Sequence, residues 1–323
     1  MLTKRALLSG IAATGLSMSA ITAGPSFPTR PVKIVVPLPA GSAPDIRQRL
    51  IAQQLTQLWG QQVIVENRPG AGGLIGTQAA LAGDSNGYTL LAALASIYTI
   101  LPVQNEKLPF NVNSDLVPIG LTSLEGMVLA SSSKLGVHSL PELVALAKKN
   151  PDQLVIGTNP VGSLPHLAAK LFVDLTEAPM TVAPYSTGGT NEAIRDIMGG
   201  RVHAVIESLP GLKGSLDAGT INALAIMSHE PLPTFPNLPV ASRLVPGLTA
   251  IGWQALAAPR KTPPEIIRKL TDDLRNVLQN PELQKRLLET GSEFQPIFGA
   301  ELTRFIQDEQ RQWWPLVKRY AAK

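Results

Sequence analysis

The sequence predicts an α/β protein of two lobes, in which mostly parallel sheets are flanked by helices and a cleft lies between the lobes. Short runs of β-branched residues alternate with segments of helical period, which is the pattern of strand–helix–strand units. This alternation occurs twice, before and after about residue 127. The chain has 323 residues, 44% hydrophobic and 16% charged. It is therefore long enough for two modest domains and too apolar for a disordered chain.

The first set of elements begins at residue 32. Residues 32–36 (VKIVV) form a short apolar run typical of a buried strand. A helix is predicted next, with Arg47 and Gln48 on its polar faces. Its apolar positions are Ile46, Leu50, Ile51, Leu55 and Leu58. Strands are predicted again at 62–66 and 88–93.

A second set with the same alternation begins near Met127. Strands are predicted at 127–131, 153–157, 181–185, 202–207 and 222–227, and helices at 140–149, 165–173 and 190–198. A Pro-rich crossover at 230–246 precedes a strand at 251–257 and helices at about 264–279, 281–290 and 300–320. We expect these last elements to return to the first set. The predicted lobes are therefore 24–126 plus 251–323, and 127–250.

Residues 1–23 have the features of a secretory signal peptide. Lys4 and Arg5 form a short basic region, residues 6–20 are apolar and small, and cleavage is expected after Ala23. The chain contains no cysteine, which excludes a lipid anchor, disulfides and thiol-based metal or catalytic sites. Removal of the peptide takes away two basic residues and no acid, so the net charge falls from +4 to +2. An exported protein without a membrane span is expected.

Several classes of function lack their motifs. No basic cluster is longer than 148–149 or 260–261, so nucleic acid is not an expected partner. The four histidines show no metal-ligand spacing, and residues 67–76 (NRPGAGGLIG) lack the spacing of the dinucleotide fingerprint. No Gly-x-Ser-x-Gly nucleophile elbow is present. The sequence therefore predicts neither a cofactor, a metal site nor an enzyme.

The strand-to-helix loops are the best candidates for a binding site, because ligands of such sheets lie beyond the carboxyl ends of the strands. In the loop at 37–45, Gly41 and Ser42 free the backbone, while Pro44 and Asp45 suit the start of a helix. The backbone N–H groups of such a loop can bind an anion. An ordinary, well-capped turn explains the same residues equally well.

Two further loops repeat this design. In the loop at 158–166, Gly162 precedes Ser163, the expected N-cap of a helix, and His166 is expected to orient the loop or line a pocket rather than act as a base. The loop at 185–192 again combines hydroxyls and glycines before a helix. Each helix N-terminus contributes roughly 0.3–1 kcal/mol toward holding a carboxylate. The three loops together predict a small anionic ligand clamped between the lobes.

The motifs, taken in order, resemble the periplasmic solute-binding receptors of the tripartite tricarboxylate transporters, the TctC or Bug family. The resemblance rests above all on residues 30–49 (RPVKIVVPLPAGSAPDIRQR), 60–76 (GQQVIVENRPGAGGLIG), 156–168 (IGTNPVGSLPHLA), 182–205 (VAPYSTGGTNEAIRDIMGGRVHAV) and 253–270 (WQALAAPRKTPPEIIRKL). It implies a type II periplasmic-binding-protein fold that closes over a small organic carboxylate. It also implies a monomer in the periplasm that delivers its ligand to the subunits of a membrane permease.

The resemblance also implies which residues contact the ligand. Loops matching 40–45 and 158–166 hold one carboxylate in the family, and the loop at 185–189 and Ser96 match positions that line the pocket. Glu207 or Ser208 lies near the place where amino-acid-binding members carry an acid. The predicted ligand contacts are Ala40, Gly41, Ser42, Ala43, Asp45, Ser96, Thr158, Asn159, Gly162, Ser163, His166, Tyr185, Thr187, Gly188 and Glu207.

Alternatives remain open at this point. The ligand-bound protein could be read by a sensor kinase instead of a permease. An exported hydrolase using Ser163, His166 and Asp45 is a second alternative, which the missing nucleophile elbow disfavours. Tyr98 and Tyr185 could flank a flat ring, so an aromatic acid such as terephthalate belongs among the candidate ligands together with di- and tricarboxylates.

Overall fold

The computed structural model describes residues 27–185, 189–231, 235–289 and 295–320. Within these ranges it shows an α/β fold of two lobes with a cleft between them, which confirms the predicted fold class. The predicted signal peptide at 1–23 lies outside the described residues. Among the helices that are described, none has the length and apolarity needed to cross a bilayer.

Strands and helices alternate along most of the described chain. The strands are β1 (Val32–Val36), β2 (Val63–Asn67), β3 (Thr89–Leu94), β4 (Leu116–Ser132), β5 (Leu154–Thr158), β6 (Met180–Pro184), β7 (Ala204–Ser208), β8 (Ile221–Ile226) and β9 (Ile251–Pro259). The helices are α1 (Ala43–Trp59), α2 (Leu74–Leu81), α3 (Ala95–Thr99), α4 (Leu101–Gln104), α5 (Val112–Asp115), α6 (Leu140–Lys149), α7 (Leu164–Thr176), α8 (Gly189–Met198), α9 (Leu209–Asp217), α10 (Ala241–Leu244), α11 (Pro264–Leu278), α12 (Pro281–Glu289) and α13 (Gly299–Tyr320). The predicted elements are found within a few residues of their expected ends, except that β4 begins at Leu116 instead of near Met127.

Strand β4 belongs to both lobes. Its residues 116–126 pair with β9, and its residues 127–132 pair with β7 and β8. The strand order is β2-β1-β3-β9-β4 on one side and β4-β7-β5-β6 on the other, with β8 paired to β4. At Gly126, where β4 changes partners, a Cβ atom would lie 2.7 Å from Cδ1 of Ile226. A side chain at this position would force Ile226 and Ser228 to shift, so glycine suits the close packing here.

The sheets are mixed, which differs from the expectation of mostly parallel sheets. The pairs β1–β2, β1–β3, β5–β6 and β5–β7 are parallel, whereas β3–β9, β4–β7, β4–β8 and β4–β9 are antiparallel. The reason lies in β4 and β9, which carry the chain from one lobe to the other and back. Because they lie side by side and run in opposite directions, they add antiparallel pairs to otherwise parallel units.

The first lobe buries both faces of its sheet. Ile34 lies in the cluster that contains apolar side chains of α1 and α11, whereas the next residue, Val35, lies in the cluster on the other face. This alternation follows from the two-residue period of a strand, and two buried faces explain why the run at 32–36 is so apolar. The helices on each face cover the sheet and leave the strand ends free for loops.

The second lobe is built in the same way, and α13 connects it to the first. Leu302 and Ile306, in the first half of α13, pack in a core cluster of the first lobe. Trp313 and Val317, in its second half, pack in the core cluster of the second lobe that contains Phe172. The last helix therefore contributes apolar side chains to the cores of both lobes.

The predicted faces of α1 are wrong in part. Arg47 and Gln48, expected on polar faces, are 1% and 0% exposed, whereas Ile46 and Leu58, expected on the apolar face, are each 43% exposed. The reason is tertiary: Gln48 donates hydrogen bonds to Thr122 and Gln254, and Arg47 reaches the acidic side chain of Glu125. The helix is covered on more than one side, so its buried surface is wider than an apolar stripe.

Other elements have no counterpart among the predictions. Helix α9 (LPGLKGSLD) was not predicted, because its Pro and two glycines are poor helix formers. The first part of β4, from Leu116 to Gly126, was not predicted either. Both elements matter for the cleft, since α9 begins at its edge and β4 runs through its base.

Candidate functional site

A cavity of about 690 Å³ lies between the two lobes. The first lobe lines it with residues at the ends of its strands and the starts of its helices, such as Pro44 and Ser96. The second lobe contributes the loop at 159–165 and the end of β7, and β4 and β9 supply the base. The cavity therefore lies beyond the carboxyl ends of the parallel strands, where ligands of such sheets are bound.

Three helices of nine or more residues begin at this cavity. Pro44 lies in the first turn of α1, Ser163 is the N-cap of α7, and Ser208 is the N-cap of α9. The first N–H groups of a helix have no intrahelical acceptor and carry partial positive charge. Three such ends, from both lobes, give the cavity partial positive charge that suits an anion. Pro44 has no N–H, so α1 contributes its dipole rather than a hydrogen bond from that residue.

The loop at 158–166 is held in place by His166, which does not itself line the cavity. The backbone N–H of Gly162 donates to Nδ1 of His166 at 3.2 Å, and the backbone N–H of His166 donates to Oγ of Ser163 at 3.4 Å. Gly162 has a φ of 79°, a left-handed conformation that favours glycine. Burial, together with the nearby charge of Lys170, lowers the pKa of His166 below its usual value, so the ring is neutral at pH 7 and can accept this hydrogen bond.

A polar network joins this loop to the end of β7. Asn159 donates to Oε2 of Glu207 at 2.6 Å, and Oγ1 of Thr190 donates to the same oxygen at 2.6 Å. The backbone N–H of Thr190, in the first turn of α8, donates to Oδ1 of Asn159 at 2.9 Å. The side chain of Asn159 thus accepts a hydrogen bond from the first turn of α8. Both Asn159 and Glu207 line the cavity.

Asp45 organises the first loop from below. Its Oδ2 accepts hydrogen bonds from the backbone N–H of Gly41 at 2.8 Å and from Arg49 at 3.0 Å, and its Oδ1 accepts one from Asn67 at 2.9 Å. Burial alone would raise the pKa of Asp45, but these hydrogen bonds lower it below its usual value. Asp45 is 1% exposed and holds the loop in place rather than lining the cavity.

The structure brings some of the predicted contacts together at the cavity and leaves others apart. Those that line it are Ser96, Asn159, Gly162, Ser163 and Glu207. Those that the structure places outside the cavity lining are Ala40, Gly41, Ser42, Ala43, Asp45, Thr158, His166 and Tyr185. Thr187 and Gly188 lie outside the described residues. The hydroxyl of Ser42, for example, donates to the carbonyl oxygen of Pro39 at 2.8 Å.

The base of the cavity contains charged and aromatic residues that the sequence reasoning missed. Arg47 of α1 forms an ion pair with Glu125 of β4, and both residues line the cavity together with Trp253 and Gln254 of β9. Arg47 was assigned to a solvent-facing side of α1, and Glu125 falls in a part of β4 that was not predicted. The sequence feature that could have identified Glu125 is that it is a single charged residue within the otherwise uncharged, mostly apolar run 116–132.

The contacts of the two tyrosines and of the three residues of the hydrolase alternative differ from those that an aromatic-ligand site or a hydrolase would require. Tyr98 is 1% exposed and packs against Trp253 with ring centroids 5.7 Å apart, and Tyr185 donates its hydroxyl hydrogen bond to Asp196. Oγ of Ser163 accepts a hydrogen bond from the backbone N–H of His166, whereas the His166 ring accepts one from Gly162. Asp45 accepts a hydrogen bond from the backbone N–H of Gly41. These contacts do not form a nucleophile, base and acid in series.

Comparisons with known proteins agree with this geometry. A family model described as tripartite tricarboxylate transporter family receptor (TctC) matches residues 47–321. The chain is similar to Protein BugT of Bordetella pertussis, with 34% identity over 322 residues that cover 97% of this chain and 96% of that protein.

Two solved structures are similar over most of the chain. One is R. palustris Rpa4515 with adipate, at 30% identity and a TM-score of 0.76, covering 90% of this chain and 97% of that one. The other is MatC (Rpa3494) from Rhodopseudomonas palustris with bound malate, at 26% identity and a TM-score of 0.73, covering 90% and 100%. Both ligands in these structures are dicarboxylates.

Proposed function

Because the chain belongs to the family of tripartite tricarboxylate transporter receptors, we propose that it is an exported receptor that captures a small organic di- or tricarboxylate between its lobes and delivers it to a membrane permease. The observation that carries this proposal is the convergence of the N-termini of α1, α7 and α9 on one cavity. Similar proteins with bound adipate and malate support a carboxylate as the ligand.

The proposed mechanism is closure of two lobes over the ligand. The lobes are 24–126 plus 251–323, and 127–250, with residues 1–23 removed on export to the periplasm. A ligand that contacts both lobes stabilises the closed arrangement. Micromolar affinity needs about −8 kcal/mol. A few charge-assisted hydrogen bonds at the helix N-termini, with burial of the ligand's carbon skeleton, are sufficient for this.

The substitution Ser163→Ala is expected to weaken binding of the preferred carboxylate by about tenfold to a hundredfold, because a hydrogen bond to a charged group is worth about 1.5–3 kcal/mol. Isothermal titration calorimetry with adipate, malate and citrate measures the change. Ser139→Ala is the matched control: Ser139 is also the N-cap of a Pro-containing helix start, α6, and accepts the backbone N–H of Glu142 at 3.3 Å.

Both variants lose a helix cap and about 1 kcal/mol of stability, but Ser139 does not line the cavity. We expect only Ser163→Ala to lose affinity. Equal affinities of the wild-type protein and Ser163→Ala would remove the second loop from the proposed site.

A further inference from the structure

The base of the cleft holds a buried cation whose hydrogen-bonding capacity is only partly used. Arg47 is 1% exposed and pairs through Nη2 with Oε1 of Glu125. Its Nε and Nη1 atoms have no hydrogen-bond partner among the described residues. A guanidinium has five N–H donors and no acceptor, and leaving buried donors unpaired is costly. The residue is therefore suited to a further anionic partner.

Glu125 is the more accessible member of the pair. Its side chain is 15% exposed, against 1% for Arg47. Burial raises the pKa of Glu125, Arg47 opposes this rise, and the neighbouring carboxylate of Glu207 adds to it. Glu125 thus interacts with one cation, Arg47, and feels the charge of one anion, Glu207. A further anion, supplied by a ligand, would favour the protonated form of Glu125.

We propose that Arg47 and Glu125 form a proton-linked anion subsite, at which a second acidic group of the ligand binds Arg47 in place of Glu125 while Glu125 takes up a proton from solvent. This inference rests on the proposed function, because it assigns one carboxylate to the helix N-termini and the other to Arg47. The subsite selects dicarboxylates over monocarboxylates. Binding weakens as the pH rises, since the proton must be taken up.

Charge balance supports this exchange. The charged side chains that line the described cavity are Arg47, Glu125 and Glu207. A dicarboxylate entering with both glutamates ionised would meet two like charges and one cation already paired. Protonation of Glu125 removes one of these like charges and frees Arg47 for the ligand. Arg47 then keeps a carboxylate partner throughout, as a buried cation requires.

Calorimetry of adipate binding in buffers of different ionisation enthalpy measures the proton uptake directly. For the wild-type protein, measured from about pH 6 to 8.5, we expect uptake of up to one proton per adipate and an affinity that falls as the pH rises, by up to about tenfold per pH unit. For Glu125→Gln we expect no uptake, a flat profile and tighter binding than wild type at the upper end of this range.

Glu309→Gln is the matched control, because it makes the same substitution at a different buried carboxyl near the site. Glu309 accepts the indole N–H of Trp253 at 3.0 Å from behind the cavity and does not line it. Proton uptake that persists in Glu125→Gln, or that disappears in Glu309→Gln alone, would overturn the proposal. Weaker adipate binding in Glu125→Gln would also overturn it, because the proposal requires the negative charge of Glu125 to oppose the binding of an anionic ligand.

Comparison of adipate with hexanoate tests the role of Arg47. Arg47→Met is expected to weaken adipate binding by about tenfold to a hundredfold and to leave hexanoate nearly unaffected. Arg311→Met removes the same charge from a side chain that is 71% exposed and should change neither. If Arg47→Met does not fold, the Glu125→Gln profile decides alone.

Failure of this inference is distinguishable from failure of the proposed function. Equal affinities of the wild-type protein for adipate and hexanoate, or equal losses of both in Arg47→Met, would overturn the subsite and leave carboxylate capture intact. No binding of any carboxylate to the wild-type protein would overturn both.

Discussion

The substitution Trp313→Ala is expected to lower the free energy of unfolding by about 3–5 kcal/mol, the range for a buried tryptophan. Trp313 is 1% exposed and packs in the core cluster of the second lobe, although α13 begins in the core of the first. Its loss leaves a cavity and weakens the helix that joins the lobes. Urea unfolding followed by circular dichroism, with far-UV signal as a check on the native fold, measures the change.

The neighbouring residue supplies the control. Trp314 is half-buried and donates its indole N–H to the carbonyl oxygen of Tyr98 at 3.3 Å. Trp314→Ala is expected to cost about 1 kcal/mol, because it removes a modest hydrogen bond and less buried surface. A loss for Trp313→Ala no larger than that for Trp314→Ala would contradict the bridging role assigned to α13.

The substitution Glu309→Gln is expected to stabilise the protein at pH 8 by about 2–3 kcal/mol. Burial raises the pKa of Glu309 from its ordinary 4.5 to about 7, against the hydrogen bonds from Trp253 and Trp313. The folded state therefore binds the proton more tightly than the unfolded state, and ionisation of Glu309 lowers stability as the pH rises from about 4.5 through 7. Glutamine keeps an oxygen that accepts the indole N–H of Trp253.

Thermal unfolding at a series of pH values checks this sign. The difference between Glu309→Gln and the wild-type protein should be near zero at pH 4.5 and reach its full size above pH 7. Glu106→Gln, at a residue that is exposed, controls for the change of net charge. A constant difference at all pH values, or destabilisation at pH 8, would show that burial of an ionised Glu309 is not costly.

Much of the fold could be predicted because its strands and helices have distinct local patterns. The apolar run at 32–36 and the capped start of α7 at Ser163 are local features, and both elements occur where the sequence places them. The contribution of strand-to-helix loops to the cleft could be predicted for the same reason, as Gly162 shows. Loops of parallel strands meet at one edge of a sheet whatever the tertiary detail.

The base of the cleft could not be predicted because its residues are distant in sequence. Arg47 and Glu125 meet only when α1 packs against β4, and helical periodicity placed Arg47 on a polar face. The start of α9 was missed since its Pro and Gly residues oppose helix formation locally. Ser42 remains a predicted contact that the local sequence suggests through its residue type, and its hydroxyl bonds to the backbone of its own loop.

A thermal-shift titration of the purified mature protein tests the central claim, capture of a carboxylate in the cleft, most directly. A ligand that binds only the folded state at a hundred times its Kd stabilises it by about 2.7 kcal/mol. We expect adipate, malate, citrate or terephthalate to raise the melting temperature by several degrees, and adipamide, which has the same skeleton without charge, to leave it unchanged. Equal shifts with adipate and adipamide, or no shift with any of these acids at millimolar concentration, would contradict the account.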